Sequence, residues 1–464
     1  MKRSSLNSAE KMATAPVFKL LLTMALPMML SMMIQALYNI VDTVFIGMLP
    51  NRDAATQALG YAYPIQMLLV ALGIGIGIGV NALLSRCLGE KNAEKAGAAA
   101  GNGYFLMLVF FLIFLAFGIL VLTTGLYFNS CTQNEEVREL GKTYLGICLI
   151  FSFGQFLQLT AERCLCATGR TGLAMLMQIS GALTNIVLDP VFIFAFDLGV
   201  AGAAIATVLG QCVSMGVGLF LNAKCNKELS IARRHFRPDK TILTEIFKVG
   251  LPAVVLQCLQ SLTTLVFQLL FGFLYVGETK DLLVGIYGIY YKLQYFVLML
   301  GYGLTNAVIP IVSFNYGGKQ PERVRKTVLS ALAMGLTISL LGLIVFEALP
   351  APLLHLFNAS ETVTQASFSE FSIGLIIIRV TALSFPFALS NIVFASVFQA
   401  LGQGMRAMII ALLRLLVVLA PACLLLGYFG GVNALWWGSI IAEAVALIYA
   451  ALAYRNSKNK LLSR

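Results

Sequence analysis

Charged residues are scarce in this sequence. Only 11% of its 464 residues are Asp, Glu, Lys or Arg, whereas 59% are hydrophobic. A soluble domain is typically about one quarter charged. Together with a mean hydropathy of +0.86, this scarcity excludes an ordinary soluble domain and indicates a polytopic membrane protein.

Histidine is nearly absent, with His235 and His355 the only two. The nine cysteines are mostly isolated in apolar stretches, and Cys164 and Cys166 form their only close pair. A His/Cys metal site and a disulfide framework therefore lack a ligand set or a pattern. No Ser/His/Asp or Cys/His arrangement is present either. We predict that the chain is not an enzyme and carries no cofactor.

Apolar runs long enough to cross a membrane recur along the whole chain. About 20 helical residues cross a hydrocarbon core of about 30 Å. The sequence therefore predicts an all-α polytopic membrane protein with twelve transmembrane helices in two pseudo-symmetric lobes of six. The predicted spans are Val17–Leu49, Ala54–Leu84, Ala96–Thr124, Val137–Cys166, Leu173–Phe196, Val200–Leu221, Ile242–Val276, Leu282–Val312, Val328–Leu349, Phe371–Ala400, Ala407–Tyr428 and Val432–Tyr454.

The net charge of +11 is distributed by side of the membrane. If the N-terminus is cytoplasmic, the outer loops hold little more than Arg52 and Lys280. This positive-inside pattern predicts that both termini are cytoplasmic, and it argues against a nucleic-acid partner. The inner basic residues are Lys2, Arg3, Lys11, Arg86, Lys91, Lys95, Arg170, a cluster from Lys224 to Lys240, Lys319, Arg323, Arg325, Lys326, Arg406 and a tail from Arg455 to Arg464.

The two halves of the chain resemble each other. We predict an N-lobe of residues 1–221, a cytoplasmic linker of residues 222–241 and a C-lobe of residues 242–464. Each lobe has an even number of spans, so both insert with the same orientation, and the substrate path falls between them. The matching pairs are Leu26-Pro27 with Leu251-Pro252, Ser85–Glu94 with Ser313–Glu322, Cys166–Met175 with Gln399–Met408 and Gly199-Val200 with Gly431-Val432, at offsets of 225, 228, 233 and 232.

Ionisable residues inside the spans are few and therefore informative. Each costs about 2.5–3.5 kcal/mol at a helix centre on insertion scales, so each is a functional candidate. On the first span, a polar stripe runs through Gln35, Tyr38, Asn39 and Asp42 at helical spacing. The other ionisable residues within spans are Glu162, Asp189, Lys292, Arg379, Arg414 and Glu443.

Asn185 and Asp189 lie one turn apart on the fifth span, directly before Pro190. The proline removes a helical N–H and leaves a carbonyl without its partner. Carboxylate, amide and carbonyl oxygens suit a proton or Na⁺. At the repeat offsets, the C-terminal counterparts of Asp42, Asn185 and Asp189 are apolar, namely Phe267, Val418 and Ala422. The acidic site is thus predicted in the N-lobe alone.

Other features allow two interpretations. Arg379 and Arg414 make substrates less strictly cationic if they face a cavity, whereas Arg414 is neutralised if it pairs with Glu443. Glu162, beside Arg163, is either a cavity residue or half of a buried ion pair. The glycines of Gly73–Gly79 are spaced for close helix packing rather than for phosphate binding, and we interpret Trp436-Trp437 as an interfacial anchor.

An ordered set of motifs resembles the multidrug and toxic compound extrusion (MATE) transporters, in particular their DinF- or MepA-like bacterial branch. The set comprises the Leu-Pro pairs, YNIVDTVFIG, the turn after the second span, ATGRT and NIVLDPVFIFAF, and it extends from about Pro16 to Tyr454. The resemblance implies a V-shaped pair of six-helix lobes that exports amphipathic, mostly cationic compounds by antiport with H⁺ or Na⁺.

The resemblance also implies residue roles. Asp42, Tyr144, Asn185, Asp189 and Thr207 match cation-coupling positions, with Na⁺ or H⁺ bound at Asp42, Asn185 and Asp189. Gln35, Tyr38 and Asn39 match supporting positions, and Pro27 matches a hinge. To these we add Glu162, Arg379 and Arg414 as expected cavity residues. We further expect a bacterial cytoplasmic membrane, membrane lipid and amphipathic small molecules as partners, and a monomer.

Two other functions remain open from the sequence. A flippase or exporter of a lipid or lipid-linked oligosaccharide, in the same superfamily, would use a cavity lined by Arg and Lys. A passive channel or structural subunit would not need an acidic pair in one lobe only. Transport of ethidium in energised vesicles separates the three classes.

Overall fold

A computed structural model describes residues 8–229, 233–355 and 370–462, and every regular element among them is helical. The basic residues Lys2 and Arg3 and part of the predicted linker (residues 230–232) lie outside the described residues. The α-helices are α1 (Ser8–Thr14), α2 (Val17–Gly47), α3 (Arg52–Gly89), α4 (Ala93–Thr124), α5 (Leu126–Cys131), α6 (Glu135–Ile150), α7 (Phe153–Ala167), α8 (Thr171–Pro190), α9 (Gly199–Cys225), α10 (Lys240–Leu274), α11 (Glu278–Gly317), α12 (Pro321–Ala348), α13 (Pro350–His355), α14 (Glu370–Ala382), α15 (Phe385–Ala400), α16 (Gly404–Leu412), α17 (Leu419–Leu435) and α18 (Trp437–Leu462).

The predicted all-α membrane fold is confirmed. Among the described residues, ten helices are long and apolar enough to cross a membrane, and two bent helix pairs bring the number to twelve. The pairs are α6 with α7, bent by 45°, and α14 with α15, bent by 49°. The fourth and tenth spans are therefore broken helices, which the apolar runs did not indicate.

Backbone geometry follows the internal repeat closely. Lys91 and Lys319, which correspond at the offset of 228, have positive φ angles of 58° and 52°. Gly169 and Gly402, which correspond at the offset of 233, both have φ of 75°. The helix breaks at residues 151–152 and 383–384 correspond at the offset of 232. Backbone turns and helix breaks thus recur at the same offsets as the matching sequence motifs.

Long helices of the N-terminal half (residues 8–229) pack against long helices of the C-terminal half (residues 233–462). Helix α3 packs against α10, and α2 packs against α11. A Cβ atom added to Gly75 would lie 2.5 Å from the backbone N of Val254, and one added to Gly303 would lie 2.5 Å from Cα of Met29. The contacts are repeat-related, because Gly75 and Gly303 differ by 228 and Met29 and Val254 by 225.

The glycines of Gly73–Gly79 have the predicted packing role, on two faces of α3. Gly75 and Gly79 lie against α10, whereas Gly73 lies against Leu159 and Gly77 against Arg163, both on α7. Glycine at these positions removes the side chain that would hold the helices apart. The glycines therefore let α3 pack closely against α7 in its own half and against α10 in the opposite half.

The halves also meet where the helices end on the side of the N-terminus. Gly89, the last residue of α3, contacts the backbone of Phe314, and Gly317, the last residue of α11, contacts the backbone of Arg86. Nearby, Nη2 of Arg323 donates to the carbonyl oxygens of α1 and its following turn, at 3.0 Å to Met12 and 2.8 Å to Ala15. We call this end of the molecule, where the backbones of the two halves meet, the closed end.

Candidate functional site

A close approach of α8 and α9 builds one wall of the site. A Cβ atom added to Gly181 or to Gly210 would lie 2.8 Å from the other's carbonyl oxygen, so only glycine permits this separation. One turn further along α8, Nδ2 of Asn185 lies 3.4 Å from Oγ1 of Thr207 on α9. The same Nδ2 donates to Oδ1 of Asp189 at 3.2 Å. The structure thus brings three of the predicted residues together.

Helix α2 packs against α8 and supplies the second carboxylate. Asp42 is half-buried, Asp189 is 0% exposed, and the two carboxylates are near enough for their charges to interact. Three oxygens in this cluster are buried without a hydrogen-bond partner, namely Oδ1 of Asp42, Oδ1 of Asn185 and Oδ2 of Asp189. A buried polar atom without a partner costs about 1–3 kcal/mol, and more when it is charged. Protonation of a carboxylate or binding of a small cation would supply partners that these oxygens lack.

The donor set tests which cation the cluster fits. It offers oxygen atoms alone, which suits a proton or a hard cation such as Na⁺ rather than a transition metal. Among the described residues, no three His, Cys, Asp or Glu side chains come together as a metal site. The chemistry therefore agrees with the predicted ligands Asp42, Asn185 and Asp189.

Tyr144, on α6, is buried beside the same carboxylates. Its hydroxyl accepts from Nε2 of Gln66 at 3.3 Å, and the same Nε2 lies 3.5 Å from Sγ of Cys148. Gln66, which belongs to α3, was not among the predicted residues, because no charged residue stands beside it on its span. An amide in an apolar membrane helix is the signal that would have found it.

The helix changes pitch directly after Asp189. Helix α8 ends at Pro190, and a π-helical turn follows at Val191–Ala195. The backbone N of Phe196 donates to the carbonyl of Val191, five residues earlier, at 2.9 Å. The predicted interruption at the proline is present as this wide turn, and such turns frequently occur at functional sites.

The polar stripe of α2 only partly belongs to the cluster. Gln35 and Tyr38 are half-buried, and Tyr38 is within electrostatic range of Asp42 and Asp189. Asn39 is exposed, so the structure does not bring it into the buried cluster, and its supporting role stays a prediction. The reason is angular: at about 100° per residue, Asn39 lies about 60° from Asp42 around the helix, farther than Tyr38 or Gln35.

Pro27 lies inside the continuous helix α2. Because proline has no backbone N–H, the carbonyl of Thr23 has no helical donor. The hydroxyl of Thr23 donates backwards to the carbonyl of Lys19 at 2.8 Å instead. The helix therefore has a weak point one turn before Pro27, where the sequence predicts a hinge.

Glu162 lies outside the acidic cluster. Its Oε1 is 3.4 Å from Nη2 of Arg163, and both side chains are 3% exposed. Nη1 of Arg163 donates to Oδ1 of Asn306 on α11 at 2.6 Å. Of the two interpretations of Glu162, the structure shows the buried ion pair. Through Arg163 this pair is hydrogen-bonded to Asn306 of the opposite half, and Glu162 does not lie with Asp42.

The arginines occupy two different environments. Nη2 of Arg414 is 2.6 Å from Oε1 of Glu443 in a buried ion pair. Arg379 is 56% exposed, and its Nε lies 4.0 Å from Oε2 of Glu347 on the neighbouring helix α12. Its place in a substrate cavity stays a prediction.

Trp436 and Trp437 also lie in two different environments. The interfacial interpretation is wrong for Trp436, which is fully buried, whereas Trp437 is 49% exposed. A one-residue step turns a side chain by about 100°, and here it places one indole in the interior and the other on the surface.

The comparison with known proteins accounts for the repeat. The family model described as MatE matches residues 27–191 and again residues 252–425, so its two copies begin at Pro27 and Pro252, the prolines of the repeated Leu-Pro pair. The chain belongs to the MatE family. Membership makes it a membrane transporter and confirms the resemblance drawn from its motifs.

Relatives of the chain match over nearly their full length. The chain is 26% identical to the multidrug export protein MepA of Staphylococcus aureus (strain bovine RF122 / ET3-1) over 460 residues, covering 97% of this chain and 96% of that one. It is 27% identical to MepA of Staphylococcus haemolyticus (strain JCSC1435) over 446 residues, covering 96% and 95%. A solved outward-facing structure of a multidrug resistance MATE family transporter shares the fold, with a TM-score of 0.89 at 24% identity and complete coverage of both chains.

Proposed function

We propose that this MatE-family chain is a multidrug efflux transporter that exports amphipathic, mostly cationic compounds by antiport with H⁺ or Na⁺. The observation that supports coupling is the group of three unpartnered oxygens on Asp42, Asn185 and Asp189. Tyr144, Gln66 and Thr207 surround them. The relatives named as multidrug export proteins support the choice of cargo.

The coupling mechanism follows from charge and from the closed end. Two neighbouring carboxylates in a low-dielectric site are not both charged cheaply, so an arriving cation neutralises the pair. With the end that carries the N-terminus closed, the cation enters from the opposite side. Its binding lets α2 bend near Pro27 and weakens the hold on the drug. The lobes then rock, and the cation leaves on the other side.

The cation must bind the two states with different affinity, since a ligand with equal affinity shifts no equilibrium. The cluster combines residues of α2 with residues of α8 and α9, so a bend in α2 changes the distance of Asp42 from Asp189. This movement supplies the difference in affinity.

The proposal includes an orientation and a setting. The basic residues put both termini, and so the closed end, on the cytoplasmic side of a bacterial cytoplasmic membrane. We expect a monomer whose partners are small amphipathic substrates and surrounding lipid, with no nucleic acid, and with the coupling ion in place of a cofactor.

The flippase alternative has less support from the side chains. It relied on positive charge from Arg379, Arg414 and Lys292, and of these Arg414 is paired with Glu443 and Arg379 lies 4.0 Å from Glu347. A passive channel would not require the unpartnered acidic cluster. Both alternatives remain outcomes of the experiment below.

The decisive experiment measures ethidium transport by the purified protein in proteoliposomes, under an imposed H⁺ gradient and, separately, an imposed Na⁺ gradient. We expect Asp42→Asn to reduce gradient-driven transport at least tenfold. The variant should still insert into the membrane and unfold at the same temperature as the wild type. Asp53→Asn is the matched control, because Asp53 is exposed at the start of α3 and 90% of its side chain is accessible.

Each result has one interpretation. Wild-type transport by Asp42→Asn excludes coupling at this cluster. Ethidium movement that ignores both gradients indicates a passive channel, and no ethidium movement under either gradient favours the flippase. The gradient that drives transport identifies the coupling ion.

A further inference from the structure

The C-terminal half contains a cavity of about 90 Å³ that lies apart from the acidic cluster. Aromatic side chains of α10, α11 and the turn before α18 form much of its wall, and α11 alone contributes Tyr287, Tyr290, Tyr291, Tyr295 and Tyr302. The rings of Phe267 and Tyr287 stack with centroids 4.3 Å apart, and the plane of Trp436 lies within 13° of each. An aromatic ligand would find ring faces and edges here.

The polar end of this cavity is the ion pair of Arg414 and Glu443. Oε1 of Glu443 accepts from Nε and Nη2 of Arg414 at 2.9 and 2.6 Å, and Oε2 accepts from Nδ2 of Asn391 at 2.8 Å. Both carboxylate oxygens are therefore engaged. Nη1 of Arg414 donates to no acceptor among the described residues, although Arg414 lines the cavity.

Two donors beside this space have no acceptor among the described residues. Besides Nη1 of Arg414, the indole Nε1 of Trp436 is buried without an acceptor among the described residues. The amide of Gln260 already donates to the hydroxyl of Tyr302 at 2.6 Å. A buried donor without a partner favours a ligand that brings an acceptor.

Arg414 is presented by an irregular stretch of helix. It lies in a π-helical turn at Leu413–Val417, between α16 and α17. The acidic cluster also adjoins a π-helical turn, at Val191–Ala195. With an offset of 233 for this span, however, the repeat would place the second turn at residues 424–428, well beyond Leu413. The turn at Arg414 therefore belongs to the C-terminal half alone, as Asp42 and Asp189 belong to the N-terminal half.

We propose that this cavity is a second ligand subsite, which takes an aromatic ring whose carboxylate or carbonyl oxygen accepts hydrogen bonds from Arg414. The inference rests on the proposed function, since the ligand is then part of an exported compound. The size limits the inserted part to about one ring. A ligand that carries only an ammonium group would leave Nη1 of Arg414 and Nε1 of Trp436 without an acceptor. The charge-assisted bond of Arg414 to a carboxylate is of the strong kind.

The test uses Trp436 as the reporter. The chain has two tryptophans, so Trp437→Phe, at an exposed position, leaves Trp436 as the single indole. We expect 4-nitrobenzoate to quench its fluorescence saturably, with an affinity at least tenfold higher than that of 4-nitrobenzyl-trimethylammonium. Equal or tighter binding of the cation, or quenching that does not saturate, would overturn the proposal. This comparison requires no variant of the cavity.

A paired substitution tests the role of Arg414. Arg414→Met with Glu443→Leu removes both charges and leaves neither buried alone. We expect it to weaken 4-nitrobenzoate at least tenfold and to leave the quenching by nitrobenzene within twofold. The matched control removes the exposed pair Arg379 and Glu347 by the same two substitutions, and it should bind as the parent does. Unchanged binding of 4-nitrobenzoate by the cavity variant refutes the subsite.

Binding is measured on purified protein without an ion gradient, so it does not depend on antiport. Failure of transport in the Asp42→Asn experiment and failure of ligand binding at Arg414 are therefore distinguishable results.

Discussion

Replacement of Gly89 by alanine is expected to open the closed end of the molecule. Gly89 ends α3, and an added Cβ atom would lie 2.8 Å from the carbonyl carbon of Phe314 and 3.0 Å from the backbone N of Gly318. These are backbone atoms of the opposite half, so no side-chain rotation relieves the contact. Since ordinary contacts begin at 3.4 Å and the carbonyl oxygen of Phe314 lies closer to the added Cβ than the carbonyl carbon does, the backbones must separate by more than 0.6 Å (3.4 less 2.8).

The cost can be bounded from packing. One extra methyl group in a well-packed contact costs about 1–3 kcal/mol, which corresponds to a shift of about 5- to 150-fold in the equilibrium between closed and open ends. Gly317→Ala should act alike, because Gly317 meets the backbone of Arg86 in the repeat-related contact. The double variant should cost less than the sum, since the first separation also relieves the second contact.

Hydrogen–deuterium exchange in lipid nanodiscs measures this opening. Peptides that cover residues 83–92 and 311–320 should exchange faster in Gly89→Ala by the same factor. Gly172→Ala is the matched control. Gly172 also lies at a helix end, but no atom lies within 4 Å of an added Cβ. Gly172→Ala therefore gains helix propensity without the steric contact that Gly89→Ala introduces.

The reasoning is refuted if Gly89→Ala exchanges like the wild type or like Gly172→Ala at both peptides. Faster exchange in one peptide only would also contradict it, because the contact joins the two halves and must loosen both.

Three further substitutions test single contacts. Pro27→Ala restores an N–H to α2 and should raise the thermal unfolding temperature while it lowers ethidium efflux; unchanged efflux would contradict the hinge. Asn306→Ala removes the acceptor of the buried Arg163 and should lower the free energy of unfolding by about 1.5–3 kcal/mol, which denaturant unfolding measures; a loss below about 0.5 kcal/mol would contradict a stabilising hydrogen bond between the halves. Glu443→Leu alone should cost about 3–5 kcal/mol, and Arg414→Met added to it should recover most of this loss; additive losses in the double-mutant cycle would exclude a coupled pair.

The acidic cluster shows which site residues the sequence pattern alone can identify. Asp42, Asn185 and Asp189 are recognisable because a carboxylate or amide in an apolar span is costly wherever it stands. Gln66 was missed because no charged residue stands beside it on its span. Helical spacing gives a face about 100° wide without showing its centre, so it did not separate the exposed Asn39 from the half-buried Gln35 and Tyr38. Which part of that face is buried depends on the helix that packs against it, and the sequence of one helix does not specify that neighbour.

The repeat was readable from short motifs, but its consequence was not. Matching residues predicted two similar halves, and the positive φ angles of Lys91 and Lys319 follow that prediction. The reciprocal approach of Gly89 and Gly317 depends on how the halves are placed, which distant contacts determine.

The sequence by itself determined the class of the molecule, the number of its spans, its repeat and the acidic residues in one half, because membrane burial and helical periodicity act on each segment locally. Only the tertiary structure decided that Arg414 pairs with Glu443 beside an aromatic cavity, that Arg379 lies near Glu347 and that Trp436 is buried. Ion pairs and cavities form between side chains that are distant along the chain. Their existence is set by helix placement at the scale of an ångström, which no local pattern specifies.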